Sequence, residues 1–299
     1  MWFRNLALYR FTRPFELAPE ALEEQLAARP ARPTGPQELQ ASGWAPPLGR
    51  GGQTLVHAAG GQLMICARTE ERILPPAAVR ELLEERIEAI EANEGRQVKG
   101  REKRELREAL VLEMLPRAFV RSRLQYAWID PRGGWLVVDT ATASRAEALL
   151  TLLRDTLGSL PVRPLAVRQS PAVLFTAWLQ EGRVPAPFEA GDACELRAPE
   201  AGGAVVRIRG ESPFSEEVGA HLAAGKQVTR LALSFDERIR FVLDEQLLVR
   251  QLRFEDLVLD ELPDADSEAE RFDADFALMT GELGRLLPAL VALFGGEAE

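Results

Sequence analysis

Between Arg101 and Arg123 the basic residues are spaced to act together. Read as a helix, the segment from Arg101 puts Lys103, Arg104 and Arg107 in one sector by i, i+3 and i, i+4 spacing, and Glu102, Glu105 and Glu108 in another. Read as an extended chain, the alternate positions Arg117, Phe119, Arg121 and Arg123 share one face, and Ala118, Val120, Ser122 and Leu124 the other. A row of three guanidinium groups broken by one phenyl ring is not a core face. Two readings stay open: a phosphate-binding surface with an apolar contact point, or a solvated strand edge carrying a stray Phe. With Arg96 and Lys99 added, residues 96–123 hold nine bases against Glu102, Glu105, Glu108 and Glu113. Weaker repeats of the pattern follow, where Arg207 and Arg209 alternate with Val206 and Ile208, Lys226 falls in phase with Arg230, and Arg238 with Arg240. No helix-turn-helix, zinc-finger or RNP-type signature accompanies them, so nucleic-acid contact is expected to follow the sugar-phosphate backbone rather than base sequence.

Other chemistry has less to stand on. His57 and His221 are the whole histidine supply, and neither sits in a nucleophile or metal motif. Cys66 and Cys194 are too far apart in sequence to suggest a metal pair and read as buried free thiols. No catalytic residue, metal or cofactor is expected. Gly49-Arg50-Gly51-Gly52 has the glycines of a phosphate-cradling loop but lacks the Gly-Lys-Ser/Thr end and a following helix, so it reads as a turn. Asp264, Asp266, Glu268, Glu270, Asp273 and Asp275 lack EF-hand spacing and read as a solvated loop and helix start. The enzymatic alternative is a nuclease whose carboxylates, such as Asp130, Asp139 or Asp236, hold Mg²⁺ beside the basic surface.

Charge is segregated along the chain. The net charge is -10 over 299 residues, yet Phe254 to Glu299 contains 13 acids against only Arg271 and Arg285, which leaves residues 1–253 close to neutral. A pure interaction scaffold working through that acidic end is a further alternative. Hydrophobic residues at 46% and charged residues at 27% describe a globular chain able to bury a core. The apolar run Leu286 to Phe294 is short and interrupted by Pro288, and the N-terminus lacks a signal-peptide core, so no membrane contact and a cytoplasmic location are expected.

The elements that would position the basic residues are punctuated by Pro and Gly. Residues 2–11 read as a strand and Pro19 to Leu26 as a helix, and the Pro- and Gly-rich residues 30–52 as an ordered loop around Trp44. Gln62 to Arg68 and Glu70 to Leu74 read as strands. Pro75-Pro76 opens a helix over 77–92, Gly95 and Gly100 bracket a break, and a second helix runs from Arg101 to Met114. The extended run 117–129 turns at Asp130-Pro131-Arg132-Gly133-Gly134 into 135–140 as a hairpin. Helix over 144–157, strand over 162–167 and helix over 170–181 precede a linker at 183–187. Beyond it lie strands at 190–197 and 204–209, a helix at 215–224, alternating runs over 228–252, and helix over 268–294 with Phe272, Phe276, Leu283, Leu286 and Leu287 on its apolar side. Strands in hairpin-like succession specify an α+β fold with mixed or antiparallel sheets. Three parts are expected: a central α+β part of residues 1–75 and 130–182, a basic helical tip with the extended segment at 76–129, and a C-terminal α+β part with an acidic helical end at 183–299.

Several strings resemble the RdgC family of recombination-associated DNA-binding proteins. They are Trp2-Phe3-Arg4-Asn5-Leu6, Gly43-Trp44-Ala45-Pro46-Pro47-Leu48-Gly49, Cys66-Ala67-Arg68, Glu71-Arg72-Ile73-Leu74-Pro75, Leu115-Pro116-Arg117-Ala118-Phe119, Leu157-Gly158-Ser159-Leu160-Pro161 and Arg271-Phe272-Asp273-Ala274-Asp275-Phe276. They occur in order over nearly the whole chain. The resemblance implies a multi-lobed, elongated, non-enzymatic subunit that dimerises into a closed ring. Double-stranded DNA would pass through its positively lined hole, and binding would oppose a RecA-type recombinase in the nucleoid. It also implies that Phe119 sits at the smaller dimer contact, a gate, and that Lys226 faces the hole. Residues 207–211 depart from the Lys-rich form of the family. The DNA-contacting set taken from both lines of reasoning is Arg96, Lys99, Arg101, Lys103, Arg104, Arg107, Arg117, Arg121, Arg123, Arg207, Arg209, Lys226 and Arg230.

Overall fold

The computed structural model describes residues 1–200 and 202–298, apart from the Arg50 side chain. The first part of the chain builds one antiparallel sheet from β1 (Ala7–Phe11), β2 (Gln40–Ala45), β3 (Val56–Ala59), β4 (Gln62–Ile73), β5 (Phe119–Asp130), β6 (Trp135–Val138) and β7 (Val162–Pro164), in the order β2-β4-β5-β6-β1-β7 with β3 also paired to β4. Helices α1 (Pro19–Ala27), α2 (Pro76–Glu94), α3 (Gly100–Met114), α4 (Ala143–Leu157) and α5 (Pro171–Glu181) are interleaved with it. After a linker come β8 (Phe188–Arg197), β9 (Val205–Arg209), α6 (Glu216–Ala223), β10 (Gln227–Phe235), β11 (Ile239–Asp244), β12 (Val249–Phe254), α7 (Asp256–Leu259) and α8 (Glu268–Leu293). The five later strands form a second antiparallel sheet, β12-β11-β10-β8-β9. The fold is α+β with antiparallel sheets.

Strand alternation decides what covers each face. On one side of the first sheet, Leu63, Ile65, Ala67, Ala127 and Ile129 meet Leu22 and Leu26 of α1 and Ala146, Leu149, Leu150 and Leu153 of α4. On the other side, Met64 and Trp128 join a core shared with the second sheet, α5, α6 and α8. Trp128 is fully buried, and its indole N–H donates to Gln62 at 2.8 Å. Along α8, Phe272, Phe276, Met279, Leu283, Leu286, Leu287 and Leu290 are buried on the helical period and fill this core. Ser267 caps its N-terminus, accepting from the Glu270 N–H at 3.2 Å, while Glu270 accepts from the Asp266 N–H at 3.0 Å. By length and composition α8 is apolar enough to cross a membrane, but its apolar residues are the middle of the protein core.

Several expectations from sequence are corrected. The strand expected over 2–11 begins at Ala7; residues before it pair instead with β12, where Leu6 and Val249 exchange backbone hydrogen bonds at 2.8 and 3.0 Å and the Leu252 N–H donates to Arg4. The two pieces expected at 62–68 and 70–74 are one strand, and β3 was not anticipated. Residues 30–52 are not all loop, because β2 lies within them. Its place depends on Gly43: a Cβ there would lie 2.5 Å from the Pro30 carbonyl oxygen, since the chain at Pro30 and Ala31 crosses against Trp44. Gly43→Ala should therefore destabilise the protein by about 1–3 kcal/mol through backbone overpacking, read as a lower urea midpoint with unchanged slope.

Candidate nucleic-acid interface

The basic tip is carried on a ladder that leaves the core. β4 and β5 pair from Leu63 opposite Ile129 to Ile73 opposite Phe119. At the near end both faces are buried; at the far end Ile73, Phe119, Val120 and Leu124 are all exposed. Between the two strands the chain makes the α2 and α3 hairpin. Pro76 starts α2, and Gly95 ends it at φ 63°, where only Gly is unstrained. Val79, Leu83 and Leu110 form a small core of their own, with Leu74, Ile87, Leu106 and Met114 packed on it.

The hairpin sorts its bases into paired and unpaired sets. Arg96 donates to Glu94 and bidentately to Glu102, at 2.6 and 2.7 Å, and Arg101 donates to Glu105 at 2.9 Å. Lys99 is exposed just before α3. Lys103, Arg104, Arg107 and Arg117 are exposed and form no ion pair among the described residues. Arg104 and Arg107 flank a groove of about 440 Å³ floored by Leu39, Val111, Leu112 and Leu115.

The row expected on the strand is only partly a row. Arg117 belongs to a 3₁₀ turn, Leu115–Arg117, because Pro116 holds the chain in a turn before β5 begins. Arg121 and Arg123 share a face with Phe119, and both point at Glu71 on β4; the Arg123 contact is 3.2 Å. The Arg121 hydrogen bond, with the charges of Arg123 and Arg145 added, holds the Glu71 carboxyl below its usual range against the opposing effect of burial. The opposite face is not core either, since Val120 and Leu124 are about half exposed. Phe119 itself is 85% exposed, the most exposed large apolar side chain among the described residues.

In the second sheet the alternating pairs separate. A bulge at Thr229, between Val228 and Arg230 in the pairing of β10 with β8, shifts the phase of the strand. Lys226 consequently lies on the helix side, where its Nζ is 3.2 Å from His221 Nδ1 of α6, while Arg230 points to the open face. The expected shared face of Lys226 and Arg230 does not exist. On the open face Arg207 and Arg230 donate to the buried Glu195 at 2.8 and 3.1 Å, and Arg209 is exposed without an ion pair among the described residues. Burial opposes ionisation of Glu195, but the Arg207 hydrogen bond and the Arg230 charge outweigh it and hold the carboxyl below its ordinary value. Arg238 is structural, with bidentate donation to the buried Glu282 at 2.9 and 3.0 Å, and Arg240 pairs with Glu255. Sequence reasoning missed Arg250, which pairs with Asp244 across the β11–β12 hairpin and reaches the Ala141 carbonyl, and Arg145, whose charge acts on Glu71 of β4.

The groups considered for other chemistry are dispersed. Asp130 accepts from the Arg132 and Gly133 N–H groups and from Gln62, Asp139 accepts from the Arg4 and Asn5 N–H groups, and Asp236 pairs with Arg285. His57 packs edge-on against Phe272 and Phe276 near Asp273, whereas His221 lies on α6, and both cysteines are buried and free. Among the described residues no group of three or more His, Cys, Asp or Glu is placed to hold a metal ion.

A protein family described as "Putative exonuclease, RdgC" matches residues 1–297. Relatives named "Recombination-associated protein RdgC" align along the whole chain. That of Aeromonas hydrophila is 45% identical over 301 residues, covering 100% of this chain and 99% of its own. Those of Tolumonas auensis and Psychromonas ingrahamii are 44% and 42% identical over 299 residues, with 99% of each chain covered.

Two stability measurements check this geometry. Phe119→Ala should shift unfolding free energy by no more than about 0.5 kcal/mol, as for an isolated exposed side chain; a larger loss in urea denaturation would mean the ring packs in the folded monomer. Glu195, with its folded pKa depressed, contributes stability present above its ordinary value of 4.5 and lost as pH falls through the lower folded value. Glu195→Gln should therefore flatten the acid limb of a plot of thermal midpoint against pH.

Proposed function

The chain belongs to the RdgC family, and from that membership we propose that it is a non-enzymatic, sequence-independent binder of double-stranded DNA. In this reading two copies close around the duplex as a ring, in the nucleoid of the cytoplasm, and restrain strand exchange driven by a RecA-type recombinase. The relatives' name ties the family to recombination. The observation that carries the DNA reading is the tip, where Lys103, Arg104, Arg107 and Arg117 are exposed with no carboxylate paired to them among the described residues. Such groups exchange condensed counterions for phosphates without reading bases. Arg121 and Arg123 add to that surface with their charge halved by Glu71, and Arg96 and Arg101 contribute less, each being held by glutamates.

Phe119 supports the ring. It stands at the end of the ladder, 85% exposed and directly opposite the exposed Ile73, while Val120 and Leu124 are exposed on the other face. A patch this small gives a weak, reversible contact between two tips, which suits a gate that must open to admit DNA. Topological closure then supplies residence time that phosphate contacts alone would not, and the enclosed duplex is occupied against a recombinase.

The family description also carries the word exonuclease. Asp130, Asp139 and Asp236 are each committed to local structure and do not converge, which disfavours metal-assisted hydrolysis through them. Incubation of end-labelled linear duplex and of supercoiled plasmid with Mg²⁺ separates the readings: the binder shifts both without cutting either, an exonuclease shortens the linear duplex from its ends, and an endonuclease nicks the plasmid.

The direct test is duplex affinity against salt on unrelated sequences. A steep slope of log affinity on log salt, equal across sequences, should become shallower in a Lys103, Arg104, Arg107 and Arg117 to Ala variant, by about 0.9 for each phosphate that the variant no longer neutralises. A slope unmoved by these substitutions would remove the tip from the interface. Phe119→Ala should leave affinity for short linear duplex intact and shorten the lifetime on closed circular DNA. Equal lifetimes on circular and short linear DNA for the wild type would remove encirclement.

A further inference from the structure

The open face of the second sheet carries a row of alternating charge across its strands. Arg207 of β9 stands opposite Glu195 of β8, Glu195 opposite Arg230 of β10, and Arg230 opposite Asp244 of β11. Arg250 of β12 closes the row, donating to Asp244 through Nε and Nη2 at 3.0 and 2.8 Å and to the Ala141 carbonyl through Nη1 at 2.6 Å. The two carboxylates are almost wholly buried, at 5% and 7% side-chain exposure, and their oxygens are occupied from within the fold. Glu195 also accepts from the Thr229 hydroxyl, and Asp244 from the Gln246 and Leu248 N–H groups. The guanidinium groups lie outside them and are less covered, with Arg207 at 62% and Arg230 at 37%.

This row borders a cavity of about 270 Å³ lined by Arg207, Arg209, Arg230 and Arg250 against Asp192 and Glu195, so its wall is net positive. Val242, on the open face with Asp244, supplies an apolar contact, while the Ile208 side chain turns into the core. Arg207 uses Nε on Glu195, and Arg230 uses Nη1, which leaves the other N–H donors of both forks free of that carboxylate. Arg209 is exposed and makes no ion pair among the described residues. Guanidinium forks approaching from separate strands can donate to several oxygens of one phosphate group, and Val242 gives a sugar ring an apolar contact.

We propose that this cavity binds the phosphate of a sugar-phosphate group, with Arg207, Arg209 and Arg230 as its donors and with Glu195 fixing the Arg207 and Arg230 guanidinium geometry from beneath. The phosphate comes either from a nucleic-acid backbone or from a free nucleotide; the first source rests on the DNA-binding reading, and the cavity chemistry does not. Glu195 has opposite effects in this arrangement: it orients Arg207 and Arg230, and it repels the anion they bind. Replacing it by the isosteric amide removes one negative charge from the cavity wall, so anion affinity should rise, whereas a carboxylate with a purely structural role would leave it unchanged.

The experiment uses the full-length protein as wild type, Glu195→Gln and Arg209→Gln, the last of which alters an exposed side chain with no ion-pair partner among the described residues. Two probes are applied: inorganic pyrophosphate, followed by thermal shift, and a short labelled duplex, followed by anisotropy at low salt. Pyrophosphate should raise the melting temperature of the wild type, more so for Glu195→Gln and less so for Arg209→Gln. Pyrophosphate affinity should be about three- to tenfold tighter in Glu195→Gln, the range for one unit charge near a partly solvated anion, and if the backbone is the source duplex affinity follows the same order. A pyrophosphate response in this order with no duplex binding by any variant upholds the cavity, assigns it to a free nucleotide and overturns the DNA reading. Duplex binding that is retained in all three, with no difference among them and no pyrophosphate response, overturns the cavity and leaves the DNA reading standing. Should Glu195→Gln fail to fold, an unchanged pyrophosphate response in Arg209→Gln is enough to overturn the proposal.

Discussion

The pairing of β4 with β5 is the constraint on which the rest depends. It is one ladder with two environments. From Leu63 to Ala67 its side chains are locked between α1 and α4 on one face and the α8 core on the other. Beyond Arg68 the same two strands run out of that cover, and backbone hydrogen bonds with the Glu71 contacts to Arg121 and Arg123 join them. Because register in a sheet is set wherever one face is buried, the buried half fixes the pairing of the exposed half. The positions of Arg121, Arg123 and Phe119 relative to the core are therefore determined by residues such as Ile65 and Trp128, far down the strands. The α2 and α3 hairpin, stabilised by little more than Val79, Leu83 and Leu110, is held in place by its attachment to both strands.

Ionic pairing distinguishes structural arginines from available ones. Arg72 donates to the carbonyls of Gly35, Leu115 and Thr34, fastening the tip to the loop before β2. Arg238 and Arg250 are similarly saturated by buried acceptors. Removing Arg250 would leave Asp244 buried without its counter-charge, the costly half of a buried pair, and removing Arg238 would leave Glu282 only the Arg285 contact at 3.5 Å. Lys103, Arg104, Arg107, Arg117 and Arg209 carry no such obligation. A surface built for backbone phosphates needs this division, since a guanidinium held by an internal carboxylate releases fewer counterions on meeting DNA.

Much of this was legible in the sequence where local chemistry punctuates the chain. Pro75-Pro76, Gly95, Gly100 and Pro116 bound α2, α3 and the start of β5, so the expected elements match to within a few residues. The hairpin at Asp130 to Gly134 was equally local, its geometry coming from an Asp side chain that accepts two backbone N–H groups. What could not be read depends on distant neighbours. The bulge at Thr229 changes the phase of β10 only because β8 lies beside it, so alternation alone put Lys226 on the wrong face. β2 was hidden because a Pro- and Gly-rich stretch signals a loop, yet Gly43 is there to let one backbone cross another. Glu195 looked ordinary in sequence and collects Arg207, Arg230 and Arg197 from three strands.

The acidic end of the chain is where sequence and structure differ most in meaning. Counted along the sequence, the residues after Phe254 form an acidic block that suggests a solvated segment. In the fold many of these acids are internal counter-charges: Glu255 to Arg240, Glu261 and Glu282 to Arg238, Asp275 to the N-terminal ammonium, and Glu297 to Arg10 at 2.8 Å and Arg163 at 3.5 Å. Bases from the first 253 residues are drawn in to meet them, so the near neutrality of that stretch is not the charge its surface presents. For the proposed DNA binding local charge matters more than the net -10, because Lys103, Arg104 and Arg107 are exposed together at the tip while carboxylates more than a Debye length away are screened by salt.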